Sequence, residues 1–270
     1  MTFHSQGSAL FFTAIGEGPA LMLLHPTPVD HRFWLPVAQI LSSRCRVILP
    51  DLRGHGRSEA GAGPITVERL AEDAAALLDH LGIGNAFFGG CSIGGYTLFE
   101  IWRQIPSRVR GLAFCCSRPQ ADDDAVLSRR RETIAKIQAG ERAAFIEAQL
   151  NALIGPTARQ RSPQLVEAAR EMMRSVPPEA LIAVQEGLAA RPDSVATART
   201  IGVPCCVLAG GEDISSPPTD MRRLATEIRQ GGGTVEYTEI PDAGHFAPFE
   251  QPERVAGILE RWLDQNQSTA

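Results

Sequence analysis

A chain of 270 residues with 44% apolar and 21% charged side chains has ordinary globular composition, and it is long enough to bury a core without disulfides or a structural metal. The net charge is −5, with Lys136 the only lysine, which argues against a nucleic-acid partner and its basic stripe. No run approaches the roughly 20 apolar residues that span a bilayer, and residues 1–10 lack the basic start, apolar core and cleavage pattern of a secretory signal. The expectation is therefore a cytoplasmic protein with no membrane partner.

In chain order, residues 10–14 read as an early strand that ends at the turn Gly16-Glu17-Gly18-Pro19. The continuous apolar runs 20–24 and 45–49 suit strands covered on both faces. Val67, Leu70, Ala71, Ala74, Leu77, Leu78 and Leu81 then mark one face of a helix, with Thr66 as N-cap and Gly82 as stop. Strands follow at 86–91 and 112–116. From 117 to 200 the pattern turns helical, roughly over 123–138, 141–153, 164–174 and 178–189, with no strand between. Strand 205–209 resumes the alternation, and 235–240 alternates apolar with polar residues, as an edge strand does. The last helix opens at Pro252 and buries Val255, Ile258, Leu259, Trp262 and Leu263.

Strands alternating with helices define an α/β fold, a mostly parallel central sheet with helices on both faces. Residues 1–117 and 201–270 form its core. Residues 118–200 read as a helical cap inserted after the sixth strand. The six cysteines, Cys45, Cys91, Cys115, Cys116, Cys205 and Cys206, make no CxxC pair and lie in or beside apolar runs, so they read as reduced packing residues.

The segment Gly90-Cys91-Ser92-Ile93-Gly94 joins an apolar strand to a helix and fits the G-x-S-x-G nucleophile elbow. Cys91 is a rival nucleophile, but a frame centred on it closes with Ile93 where glycine is required, so Ser92 is preferred. A serine hydroxyl needs an adjacent base. Of the histidines, His4 lies near a terminus expected to be mobile and His80 sits on the 67–81 helix. His245 follows the last strand on a loop at the sheet's carboxyl end and is the base. Asp213 is the acid that orients it, with Glu212 as runner-up. The Ile93 amide is one oxyanion donor. The loop His25-Pro26-Thr27-Pro28 supplies the other, and because proline has no N–H, Thr27 is the donor assigned. The run from Asp51 to Ser58 reads as structural support. His25, His31 and His55 lack the spacing of metal ligands, so no metal is expected. His25, Trp34 and Phe246 are candidate substrate contacts, and Met172 and Met173 fit either a pocket wall or a helical core.

Taken in order, the loop at His25, the run Asp51-Leu52-Arg53-Gly54-His55-Gly56-Arg57-Ser58, the Ser92 elbow, the acid turn at Asp213 and Ala243-Gly244-His245 resemble the α/β-hydrolase superfamily over the whole chain. Within it the chain looks similar to the small bacterial esterase and lactonase branch that includes 3-oxoadipate enol-lactonases and cofactor-free haloperoxidases. The resemblance implies a serine hydrolase that needs no cofactor and cleaves a small ester, lactone or thioester through an acyl-enzyme. One departure stands out: Pro26 occupies the position after the loop histidine where the family usually has glycine, and this bears on Thr27. Ser92 stands where haloalkane dehalogenases carry aspartate. The competing readings are a small-ligand receptor of the same fold, a cofactor-free perhydrolase and an inactive member.

Overall fold

Every side chain of Ala20–Leu24, Ala86–Cys91 and Cys205–Gly210 is buried, as strands covered on both faces require. A computed structural model describes residues 1–267. Its strands are β1 (Thr2–Ser5), β2 (Ser8–Ile15), β3 (Ala20–Leu24), β4 (Arg46–Pro50), β5 (Ala86–Cys91), β6 (Val109–Cys115), β7 (Cys205–Gly210) and β8 (Val235–Ile240). They form one sheet in the order β1-β2-β4-β3-β5-β6-β7-β8. β2 runs antiparallel to β1 and β4, and all other neighbours are parallel. The sequence pattern gave no sign of β1. His4, expected near a mobile terminus, is instead paired with Ala9, because Phe3 and Ser5 bury one face of this short strand.

Helices α1 (Leu35–Leu41), α2 (Val67–His80) and α3 (Ile93–Gln104) connect the first strands. The predicted caps of α2 are in place: Thr66 accepts the Arg69 N–H at 3.4 Å and Gly82 turns the chain at φ +64°. Between β6 and β7 stand α4 (Asp124–Gln138), α5 (Arg142–Leu153), α6 (Pro156–Arg161), α7 (Pro163–Ser175), α8 (Pro178–Ala189) and α9 (Val195–Ala198), with no strand among them. Four of these follow from the periodicity, whereas α6 and α9 are too short to show one. α10 (Pro218–Gln230), α11 (Ala247–Glu250) and α12 (Pro252–Asn266) complete the chain.

One face of the sheet is covered by Leu70 and Leu77 of α2, Leu98 of α3 and Leu224 of α10. The other packs on Val37 of α1 and Leu259 and Trp262 of α12. That second cluster runs on into Ile146 and Leu150 of α5 and into Met172 and Met173 of α7, so both methionines belong to the core. Each such apolar side chain contributes about 1.5–3 kcal/mol by leaving water.

The register decides where the site lies. Leu24 pairs with Gly90, Cys91 with Cys115, Cys115 with Leu208 and Gly210 with Ile240. The residues that follow these strands, His25, Ser92, Cys116, Gly211 and Pro241, therefore emerge together at one edge. The chain leaves β3 outward to β4 and returns to β5 on the other side, which opens a crevice between the β3 and β5 loops.

Candidate active site

β5 ends at Cys91 and α3 begins at Ile93, so Ser92 alone turns the chain. It does so at φ 53° and ψ −118°, a positive-φ conformation that side-chain-bearing residues avoid. Two glycines give the turn its space. A Cβ on Gly90 would fall on the backbone of Gly94 and Gly95, and one on Gly94 would fall on the Leu24 carbonyl. α3 can thus close onto its own strand and onto the loop after β3. Ser92 faces a cleft of about 300 Å³ that Thr27, Tyr96 and His245 also line.

At the far wall His245 Nδ1 lies 2.8 Å from Asp213 Oδ2. The other carboxylate oxygen accepts the N–H groups of Ser215 and Ser216 at 2.7 and 3.0 Å. Burial pushes the Asp213 carboxyl up, but the His245 charge and hydrogen bond and these two amides outweigh it and hold it below the usual range. With Asp213 ionised, Nδ1 carries the imidazole proton and Nε2 is left as the acceptor. Glu212, the other acid of this turn, points elsewhere and accepts from the Thr157 N–H and hydroxyl. The Ser92 hydroxyl shares the cleft with His245, but no hydrogen bond joins them among the described residues. Such contacts commonly tighten only around a bound substrate.

A buried thiol and a half-buried carboxylate hold the histidine and its loop, roles the sequence reading did not assign to Cys91 or Glu250. The Cys91 thiol donates to the His245 carbonyl at 3.4 Å. It is fully buried, and burial pushes it far above the ordinary thiol range, so it remains a protonated donor and not a nucleophile. Glu250 accepts the N–H groups of Gly244 (2.9 Å) and Gly155 (3.1 Å), tying the histidine loop to the start of α6. Burial raises its carboxyl to about 7.

The loop after β3 is fixed by histidines. His25 Nε2 accepts the Leu52 N–H at 2.8 Å, so its Nδ1–H donates to the Pro26 carbonyl at 2.9 Å. His55 donates from Nδ1 to the Arg53 carbonyl, which leaves Nε2 to accept the Thr27 hydroxyl at 2.9 Å. Burial lowers the His55 value to about 4, so the ring is neutral. The Thr27 and Ile93 N–H groups have no acceptor among the described residues, and a helix's first amide has none within the helix.

The three expected substrate contacts do not reach the cleft. His25, Trp34 and Phe246 are all 0% exposed. His25 is the hydrogen-bonded tie between two loops, Trp34 donates its indole N–H to the Leu24 carbonyl at 2.9 Å, and Phe246 packs edge-on against Phe33. They sit under the loops that carry the site. Lining the cleft instead are Arg129 and Arg130 of α4, Gln149 of α5, Gln185 of α8, and Arg118 and Ile214 from connecting loops. The only sequence signal for them is the run Arg129-Arg130-Arg131, which reads as an exposed helix face.

Among the described residues, two groups have ligand atoms close enough to hold a cation. Asp30, His31 and Asp51 already engage each other's neighbours: Asp51 accepts from His31 and from the Arg57 N–H, and Asp30 is forked by Arg32. In the second group, Cys116, Asp213 and His245, the acid and the imidazole are bonded to each other.

A mostly parallel sheet that carries a strained serine after β5, an acid after β7 and a histidine after β8 has the architecture of an α/β hydrolase. Residues 21–258 match the profile of the alpha/beta hydrolase family, and the chain belongs to that family. The thermophilic esterase from Thermogutta terrifontis, solved with malate bound, superposes with a TM-score of 0.92 at 35% identity over 98% of this chain and 96% of that one. The enol-lactonase from Burkholderia xenovorans LB400 gives 0.90 at 27% identity over 98% and 100%. In sequence, 3-oxoadipate enol-lactonase 2 from Acinetobacter baylyi is 27% identical over 96% of this chain and 94% of its own. No helix among the described residues is long and apolar enough to cross a membrane.

Proposed function

We propose that this protein is a cytoplasmic serine hydrolase that cleaves a small carboxylic ester or lactone through an acyl-enzyme on Ser92. The observation that carries this reading is the His245–Asp213 bond of 2.8 Å facing a cleft in which the strained Ser92 turn presents its hydroxyl. Ser92 Oγ attacks the carbonyl carbon while His245 Nε2 takes its proton. The Ile93 and Thr27 amides, both without acceptors among the described residues, receive the developing oxyanion. His245 returns the proton to the leaving alkoxide, and water, deprotonated in turn by His245, releases the acid and restores Ser92. Residues 118–200 act as a cap over the core formed by 1–117 and 201–270, since α4, α5 and α8 supply one wall of the cleft. The relatives named as esterase and enol-lactonase support the ester or lactone class.

The test is turnover of a panel of p-nitrophenyl esters and lactones by wild type and Ser92→Ala, with fluorophosphonate labelling of Ser92 in parallel. The variant is expected to lose about 10³-fold or more in kcat and all labelling. Near-normal turnover by Ser92→Ala would sink the proposal. Stoichiometric ligand binding without turnover in the wild type would favour a receptor.

A further inference from the structure

A base that takes the Ser92 proton must hold its imidazole closely, since misplacing a reacting group by about 1 Å can cost about 10²-fold in rate. Ser92 is set by the turn between β5 and α3, and Asp213 by two amides of its own loop. His245 sits on the loop between β8 and α11, and the backbone there is bonded mainly from outside the loop. The Gly244 carbonyl accepts the Cys116 thiol at 3.8 Å, and the His245 carbonyl accepts the Cys91 thiol at 3.4 Å. The Phe246 N–H donates to the Leu153 carbonyl at 3.0 Å. The Gly244 N–H donates to Glu250 Oε2 at 2.9 Å, and the same oxygen accepts the Gly155 N–H at 3.1 Å.

Two of these partners, Leu153 and Gly155, belong to the corner between α5 and α6, far from His245 in the chain. Helix α5 also walls the cleft, through Phe145, Gln149 and Leu153. The corner meets the histidine loop backbone to backbone. A Cβ on Gly244 would fall on the Gly155 backbone, and one on Gly155 would lie 2.7 Å from the Gly244 nitrogen and 2.9 Å from Glu250 Oε2. The acid turn reaches the same corner, because Glu212 accepts the Thr157 N–H at 3.1 Å while its own N–H donates to the Ala243 carbonyl at 2.8 Å. Removing a shared acceptor would leave both N–H groups without a partner, at the point where the loop that carries the base rests on the inserted helices.

Resting on the proposed ester chemistry, we infer that Glu250 is a positioning residue for His245. With one carboxylate oxygen it locks the base's loop to the α5–α6 corner, so the inserted segment helps to set where Nε2 stands. That segment contributes a carbonyl, an N–H and the lack of a side chain at Gly155, not the side chains of its helices.

Three variants test this. Glu250→Ala removes the bridge, Glu250→Gln keeps an acceptor for both N–H groups, and Gly155→Ala forces a methyl group into the bridge without altering Ser92, Asp213 or His245. Titration of Ser92 with a fluorophosphonate counts competent sites, which separates kcat per site from any loss of folded protein. The His245 Nδ1 proton, followed by NMR, reports the ring's place without turnover. In Glu250→Ala, kcat per site for a p-nitrophenyl ester is expected to fall about 10²-fold, with KM within about threefold of wild type. Glu250→Gln should regain all but about tenfold, and Gly155→Ala should lose about tenfold or more and move the Nδ1 proton signal. If Glu250→Ala does not fold, Gly155→Ala is read in its place. A kcat per site within about threefold of wild type, with an unmoved Nδ1 signal, overturns the inference even if stability falls. If the wild type neither labels nor hydrolyses any ester, the acyl-enzyme reading fails and the Nδ1 signal alone decides. Moved in Gly155→Ala, it upholds the positioning role; unmoved, it overturns it.

Discussion

Asp213→Asn separates the role of the acid's charge and direction from its mere presence. The two oxygens of Asp213 have different tasks: Oδ1 accepts two backbone N–H groups from Ser215 and Ser216, and Oδ2 faces His245 Nδ1. Asparagine has only one acceptor. The two amides hold that oxygen in place, because flipping the side chain would leave both N–H donors facing an NH₂ group, the buried Ser216 donor alone at roughly 1–3 kcal/mol. The NH₂ group therefore turns to His245, and two donors cannot bond. The imidazole moves its proton to Nε2, which then faces Ser92 with a hydrogen where the base needs a lone pair. The expected loss is about 10⁴-fold in kcat, or about 5 kcal/mol of barrier. Steady-state hydrolysis of a p-nitrophenyl ester measures it, with thermal melting to show that the variant is folded. Glu212→Gln is the comparison: its carboxylate bonds Thr157, so kcat should fall by less than about tenfold. An Asp213→Asn enzyme within about tenfold of wild type, or an equal loss in Glu212→Gln, would refute the reasoning.

The other predictions concern the supports of the site. Arg53 is 0% exposed and is forked by Asp73, with further bonds to the Ser8 hydroxyl and the Ser5 carbonyl. Asp73→Ala leaves that cation uncompensated and is expected to cost about 3–5 kcal/mol in urea unfolding; a loss below about 1 kcal/mol would mean that the pair does not hold the 51–58 loop. Glu250 has a folded value of about 7, above the ordinary carboxylate value of an unfolded chain. The folded state therefore holds its proton longer, and this contribution to stability is complete below the unfolded value and lost as pH rises through about 7. Glu250→Gln cannot ionise, so its melting temperature should gain on wild type between about pH 5 and about pH 8. Parallel melting curves across that range would contradict the assignment.

The parts of this protein that the sequence discloses are those where one physical requirement acts alone. Five or six consecutive apolar residues need a sheet covered on both faces, which fixes β3, β5 and β7. A serine between crowded glycines needs a strand-to-helix turn, which fixes Ser92. Where two requirements compete, the sequence ranks candidates without a physical reason that separates them. Glu212 and Asp213 leave the same strand with the same chemistry, and only the rotation of the turn sends one to Thr157 and the other to His245. Trp34 and Phe246 are next to functional loops in the chain, and either a pocket or a foundation would suit an aromatic ring. The loops fold over them, so they are foundation. Arg129 and Arg130 carry the opposite ambiguity, because charged residues on an amphipathic helix are usually solvated, and only the packing of the α4 to α8 helices against the sheet edge turns them toward Ser92.

That division has a consequence for how the chemistry and the selectivity depend on the fold. The proposed reacting groups are held by the backbone of the sheet edge: a positive-φ serine, an aspartate fixed by two amides, and a histidine whose loop is bonded by Cys91 and Glu250. Little in that arrangement depends on which side chains the inserted helices carry. The cleft's charge, in contrast, comes from residues in or beside those helices, and is balanced by one aspartate on the connecting loop, Asp122. Replacing Asp122 would therefore disturb three arginines together, whereas replacing Arg129 removes one free charge and nothing that it holds. Single substitutions in the α4, α5 and α8 helices can change the cleft wall because the proposed reacting groups are anchored elsewhere.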